Sequence, residues 1–143
     1  MECFLVGIDG SDCGARALKV AAEQARAANA ELLICYVIPW SPYTFSTPEE
    51  NAQRHRRREE ELNIARTKLL EPRASELEAS GLTVRAIARH GHPVRSLVAL
   101  AEQHQAGMIV IGRSGDTPLK TRIFGGTAAG LVQSAPVPVL VVP

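Results

Sequence analysis

Aromatic side chains are scarce in this chain, at 4% of residues with a single tryptophan, so aliphatic packing must carry any core. Long apolar runs are missing too: none reaches the roughly 20 residues that a membrane-crossing helix needs. Neither sign of charge prevails. The 16 Lys and Arg against 15 Asp and Glu leave a net charge of +1, which provides no basic field for sequence-independent nucleic-acid binding, where many cation–phosphate contacts carry the affinity. The opening MECFLVGIDGSD has neither a basic n-region nor a small-residue cleavage site. The expectation is a cytoplasmic protein with no nucleic-acid and no membrane partner.

Cysteine is sparse. Cys3, Cys13 and Cys35 stand far apart with no CxxC pair, which excludes the usual zinc and disulfide frameworks. Cys3 and Cys35 fall inside apolar runs and read as small core residues. Cys13 lies at a helix start, where the dipole favours a thiolate, so packing and redox readings both stand for it. Two familiar phosphate loops are absent as well: there is no GxxxxGK[ST] anywhere and no GxGxxG after the first strand.

What the chain does have is a regular alternation. At 143 residues it fits one domain, since single cores span about 100 to 200 residues. Short apolar runs alternate with longer segments of helical period, the pattern of a parallel sheet covered by helices on both faces. The strands are CFLVGI, ELLICYVI, LTVRAIAR, MIVI and PVPVLVV. MIVI is apolar throughout, as a central strand buried on both faces should be, whereas the alternation in LTVRAIAR and the Pro138 of the last run place those two at sheet edges.

Between them, Ser11 or Asp12 caps a first helix whose buried face is Leu18, Ala21, Ala22, Ala25 and Ala28. Thr47-Pro48-Glu49-Glu50 opens a second with a capping box and proline in its first turn. Its apolar stripe runs Leu62, Ala65, Leu69, Leu77, and Pro72 should kink or split it. Arg56 and Arg57 precede Glu60 and Glu61 by four residues, so the RHRRREEE run reads as a self-neutralising solvated face rather than a nucleic-acid patch. His90-Gly91-His92-Pro93 ends the third strand; with no third ligand at a recognisable spacing it reads as a polar turn, Pro93 opening the next helix. The fold class is therefore α/β: a single-domain, Rossmann-like open parallel five-stranded sheet of order 3-2-1-4-5, with right-handed crossovers and helices on both faces. In such sheets ligands bind beyond the carboxyl ends of the strands where the order reverses, here between the first and fourth.

Two loops meet at that point, Asp9-Gly10-Ser11 and GRSGDTPLKTRIFGGT from Gly112 to Thr127. Glycines permit positive φ and close backbone approach, and successive exposed N–H groups make an anion-binding concavity. Gly112 and Gly115 bracket a turn after a buried strand. Gly125 and Gly126 stand at a helix entrance, whose free donors and positive dipole end favour phosphate. Lys120 and Arg122 in the spacer either reach a phosphate or keep the loop soluble.

The spacing Gly112-x2-Gly115-x9-Gly125, together with GIDGSD, YVIP, HGHP and PVPVLVV, resembles the universal stress protein family, and the resemblance spans residues 1–143. It implies an adenine-nucleotide-binding regulatory protein, with ATP as ligand accompanied by Mg2+ or Mn2+, a homodimer formed through the last strand, and no catalytic residues. By the same resemblance Gly7, Ile8 and Asp9 meet the adenine or ribose, Val37 lines the base pocket and Ile111 touches the base. Gly112, Arg113, Gly115, Gly125, Gly126 and Thr127 hold ribose and phosphates. Competing readings are a helix-capping carboxylate for Asp9 and core packing for Val37 and Ile111. One departure stands at the site: Gly126 occupies the place of a Ser or Thr, with Thr127 one residue later, and a lost hydroxyl bond costs about 1 kcal/mol. A second function class follows from that departure, a family member that binds no nucleotide and acts through protein partners. A phosphorelay receiver is disfavoured, since the third strand ends in His90-Gly91 rather than an acceptor aspartate, and no positioned base or arginine finger for ATP hydrolysis is evident.

Overall fold

In the computed structural model of the chain the described residues are 1–39, 47–115 and 125–143. The proline-rich loop after the second strand falls largely outside them, as do Lys120 and Arg122. Five strands form one parallel sheet: β1 (Cys3–Ile8), β2 (Glu31–Ile38), β3 (Val84–His90), β4 (Met108–Gly112) and β5 (Val139–Val142), in the order β3-β2-β1-β4-β5. Every neighbouring pair is parallel, with Val6 of β1 in register with Ile34 of β2 and with Val110 of β4. The central β1 is buried along its whole length, which is why it reads as an unbroken apolar run.

Helices α1 (Asp12–Ala28), α2 (Pro48–Ile64), α3 (Glu71–Ala79), α4 (Pro93–Gln103) and α5 (Gly126–Ser134) flank the sheet. Because alternate strand residues point to opposite faces, two cores form. On one face Phe4, Val6 and Ile8 pack with Leu18, Ala21 and Ala25 of α1 and with Leu70; on the other Leu5, Leu33 and Ile109 pack with Leu97 and Leu100 of α4 and Leu131 of α5. The alanine face of α1 is confirmed with one exchange, Ala17 being buried in place of the exposed Ala28.

Caps fall where hydroxyls were expected. The Ser11 side chain accepts from the Gly14 amide at the start of α1, and Thr47 with Glu50 forms the full capping box of α2. The strand edges shift slightly: β3 runs to His90, and β5 begins only at Val139. The latter has a plain cause, since Pro136 and Pro138 have no N–H to give to a ladder. The Pro138 carbonyl nevertheless accepts from the Ile109 amide at 2.9 Å, so pairing starts on the acceptor side alone.

Between α2 and α3 the helical segment is split, as expected from Pro72: residues Ala65–Leu70 form a π-helical turn, and Pro72 sits in the first turn of α3. The buried positions on either side, Ala65 and Leu70, are five residues apart, whereas an α-helix would repeat its inner face after three or four. The extra residue of the π turn rotates the inner face, so Leu70, Ala74 and Leu77 continue towards the core as Ile64 remains exposed.

Helix α2 buries none of its residues, as a solvated helix should. The expected Arg56–Glu60 and Arg57–Glu61 pairs do not close among the described residues. Glu61 instead reaches His90 Nε2 at 3.0 Å, and the pair that forms at helical spacing is His55 with Glu59 at 3.8 Å. Exposed pairs of this kind contribute about 0.3–0.5 kcal/mol at most, too little to hold two long side chains together.

Candidate functional site

The carboxyl ends of β1 and β4 diverge into α1 and into the loop leading to α5. A cleft of about 510 Å3 opens there, over the point where the strand order reverses. Every residue singled out from the sequence for this site lines it: Gly7, Ile8, Asp9, Val37, Ile111, Gly112, Arg113, Gly115, Gly125, Gly126 and Thr127.

The apolar part lies against the sheet. Gly7, Cys35, Val37 and Ile111 project to the same face as α4, whose Pro93 and Leu97 complete the wall. Gly7 is the floor: a Cβ there would stand 3.0 Å from Ile111 Cδ1 and 3.1 Å from Leu97 Cδ1, so any larger residue would fill space the cleft now holds. Leu97 and Pro93 were missed from the sequence because helical period reveals that a residue faces the sheet, not which strand end it covers.

Asp9 serves as a turn carboxylate and also lines the cleft. Its Oδ1 accepts from the Ser11 amide at 3.0 Å and from the Ser11 hydroxyl, which in turn accepts from the Gly14 amide at 3.0 Å, so the carboxylate is locked into the entrance of α1. Its Oδ2 turns across the cleft toward Gly115, where an added Cβ would lie 2.9 Å away.

The glycine-rich stretch is tied at both ends. The Arg113 amide donates to the Val142 carbonyl at 2.7 Å, and the Arg113 carbonyl accepts from the Gly125 amide at 2.7 Å, so the start of α5 is pinned beside the end of β4. Neither Gly112 nor Gly115 has positive φ; the glycines of that kind are Gly10, Gly81 and Gly91. Of the two properties that glycine offers, close approach is the one used at Gly112. Gly112 is required by close approach, since a Cβ on it would meet Cys13 Sγ at 2.8 Å and the Cys13 carbonyl oxygen at 3.1 Å.

Helix α5 enters the cleft bare. Side chains of Ser11, Thr47 and His92 cap α1, α2 and α4, whereas at Gly125 no side-chain cap of α5 is found among the described residues. The first-turn residues Gly126, Thr127 and Ala128 all line the cleft, so the donors and positive end of α5 open on it. A Cβ on Gly126 would meet nothing within 4 Å among the described residues. The half-buried Arg113 adds a cation on the same side.

Cys13 sits beneath this wall, buried, its thiol donating to the Val142 carbonyl at 3.5 Å. Burial pushes this thiol up, but hydrogen bonds from Ser114 and the Arg113 backbone, with the Arg16 charge, outweigh it and leave the group below its ordinary value. Cys35, deeper in the apolar part, is pushed up to about 12 by burial, against a weaker opposing pull from Arg89. Among the described residues no group of three or more His, Cys, Asp or Glu could hold a metal ion, and His92 of the HGHP turn serves instead as the cap of α4, its Nδ1 accepting from the Arg95 amide at 3.3 Å.

A parallel five-stranded sheet of order 3-2-1-4-5, flanked by helices and with a cleft at its switch point, defines a Rossmann-like α/β domain. Residues 1–143 match the family model described as the universal stress protein family, and the chain belongs to that family. It is 30% identical over 146 residues to the universal stress protein YxiE of Bacillus subtilis, covering 97% of each chain. Among solved structures, the universal stress protein UspA from Lactobacillus plantarum superimposes with a TM-score of 0.86 at 26% identity, over 99% of this chain and 97% of that one. A universal stress protein solved in complex with cAMP superimposes with a TM-score of 0.64 at 26% identity, over 99% and 96%. No helix among the described residues is long and apolar enough to cross a membrane.

Proposed function

We propose that this chain is an adenine-nucleotide-binding regulatory protein of the universal stress response, with ATP as its ligand. The observation that carries the reading is the uncapped first turn of α5 facing the cleft beside Arg113, because bare helix entrances with an adjacent cation favour phosphate. In this reading Val37 and Ile111 line the base pocket, Gly7, Ile8 and Asp9 meet the adenine or ribose, and Gly112, Arg113, Gly115, Gly125, Gly126 and Thr127 hold the ribose and phosphates. The relative solved with cAMP supports an adenine nucleotide as the ligand.

Asp9 is the one carboxylate among the described lining residues. A Mg2+ or Mn2+ ion accompanying the triphosphate would therefore be held chiefly by phosphate oxygens and water, as suits an ion that dehydrates reluctantly. In this reading the protein works by binding rather than by turnover. The apolar β5 at the sheet edge is the natural surface for a homodimer of a cytoplasmic module.

Gly126 supports a second reading, in which no nucleotide binds and protein partners carry the function. Mass spectrometry of nucleotide released from the purified protein, with thermal unfolding in Mg-ATP, separates the two: ligand at 100 times Kd stabilises by about 2.7 kcal/mol. Absence of released nucleotide and of any shift at millimolar ATP would favour the partner reading.

A further inference from the structure

Gly130 is a glycine in the interior of a helix, where it weakens the helix relative to alanine. It is not among the residues lining the cleft and has no positive φ, and its carbonyl accepts from the Ser134 hydroxyl at 2.7 Å. Its surroundings explain it: a Cβ at this position would lie 2.6 Å from Val94 Cγ2, 3.4 Å from Cγ1 and 3.5 Å from the Val94 Cβ. Carbon atoms not bonded to each other rest at about 3.5–4.0 Å, so the missing methyl lets α5 approach α4 by about the width of that overlap. Val94 cannot step aside easily, because a β-branched side chain in a helix is confined to one strongly preferred rotamer.

The contact lies between the two walls of the cleft. Val94 follows Pro93 and precedes Leu97, which close the apolar part, while Gly130 stands three residues after Thr127 on the same strip of α5 and one turn after Gly126. Moving α5 away from α4 therefore moves the amides of its first turn relative to the base pocket. We infer that Gly130 is a positioning residue: its contact with Val94 sets the separation of α4 and α5, and with it the match between the base pocket and the phosphate donors. The inference builds on the nucleotide reading of the cleft, and neither residue touches ligand in that reading.

The test is a double-mutant cycle on the full chain, reading ATP and cAMP affinity by calorimetry and unfolding temperature without ligand. Gly130→Ala should weaken binding by about tenfold or more, the weight of one displaced charge-assisted hydrogen bond. Val94→Ala alone should change affinity little, and Gly130→Ala in the Val94→Ala background should restore it to near the original value. Calorimetry reads the folded protein well below its unfolding temperature, so a contact that serves stability alone would leave affinity unchanged in Gly130→Ala. Without ligand, Gly130→Ala should lower the unfolding temperature beside Val94 and raise it beside Ala, where only helix propensity remains. Unchanged affinity in Gly130→Ala, or a double variant as weak as the single one, overturns the inference. If the unsubstituted protein binds neither nucleotide, the functional reading fails, and the reversal in sign of the unfolding shift still decides the helix contact: no reversal refutes it.

Discussion

Replacing Gly126 by serine adds a hydroxyl at the mouth of the phosphate cradle without disturbing its walls. The structure sets the magnitude. A Cβ at this position meets nothing within 4 Å among the described residues, the residue is exposed, and it already has helical backbone at the first position of α5, so serine requires no rearrangement. A hydroxyl bond to a charged acceptor contributes about 1.5–3 kcal/mol, from which fixing a small rotamer subtracts part. The net expectation is about 1 kcal/mol, or roughly fivefold tighter ATP binding. Gly126→Ala is the control, because it adds the same Cβ without the hydroxyl. Calorimetric titration of both variants with Mg-ATP, with unfolding measured in the absence of ligand, separates helix stabilisation from ligand contact. Should serine bind ATP no better than alanine does, the phosphate does not lie against the entrance of α5, and the placement of the ligand is wrong.

Gly115→Asp should abolish nucleotide binding, because its side chain would start 2.9 Å from Asp9 Oδ2 and set a second negative charge in the cradle; unchanged affinity would refute the cradle. Gly112→Ala should destabilise by about 1–3 kcal/mol, since the neighbours crowding its Cβ include Cys13 backbone atoms that cannot rotate away, a loss readable in urea denaturation. Leu70→Ala should cost about 2–5 kcal/mol and Ile64→Ala less than about 0.5 kcal/mol, a contrast that checks the rotated inner face beyond the π turn. Cys35 has a native value of about 12 against an ordinary 9.0, so its neutral thiol stabilises the fold fully below pH 9 and that contribution is lost as pH rises toward about 12. Denaturation curves at pH 8 to 10.5 should fall less steeply with pH in Cys35→Ala than in the parent chain.

The sheet was legible because each strand obeys one dominant rule. CFLVGI and MIVI are buried on both faces and so are apolar at every position, while Pro138 can stand only at an edge. The α2–α3 segment was not legible to the same degree. Its stripe of Leu62, Ala65 and Leu69 follows helical period, and Ala65 is buried with Leu69 packed against the core, yet the fully buried residue is Leu70, and nothing local to a sequence announces that a π turn will insert one extra residue. Pro72 marked where the segment divides, not that the division would be a π turn. The Arg–Glu pairs failed for a different reason: spacing brings such groups within reach, but His90, from a strand far along the chain, competes for Glu61.

The glycine spacing that marked the site turns out to contain two kinds of information. Gly7, Gly112 and Gly115 are small because protein groups crowd them: Leu97 and Ile111, the backbone of Cys13, and Asp9. They shape the cleft, and they would be needed whether or not a phosphate ever entered it. Gly126 is the contrary case, a glycine that has open space around it among the described residues, at a helix entrance that none of their side chains caps. Packing among the described residues gives no reason for it, so a ligand is one place to look for it. The first kind of glycine explains how α1, β4 and α5 come close enough to make a cleft. Only the second kind bears on what occupies it, which is why the choice between nucleotide and partner protein turns on residue 126 and not on the spacing that first drew attention to the loop.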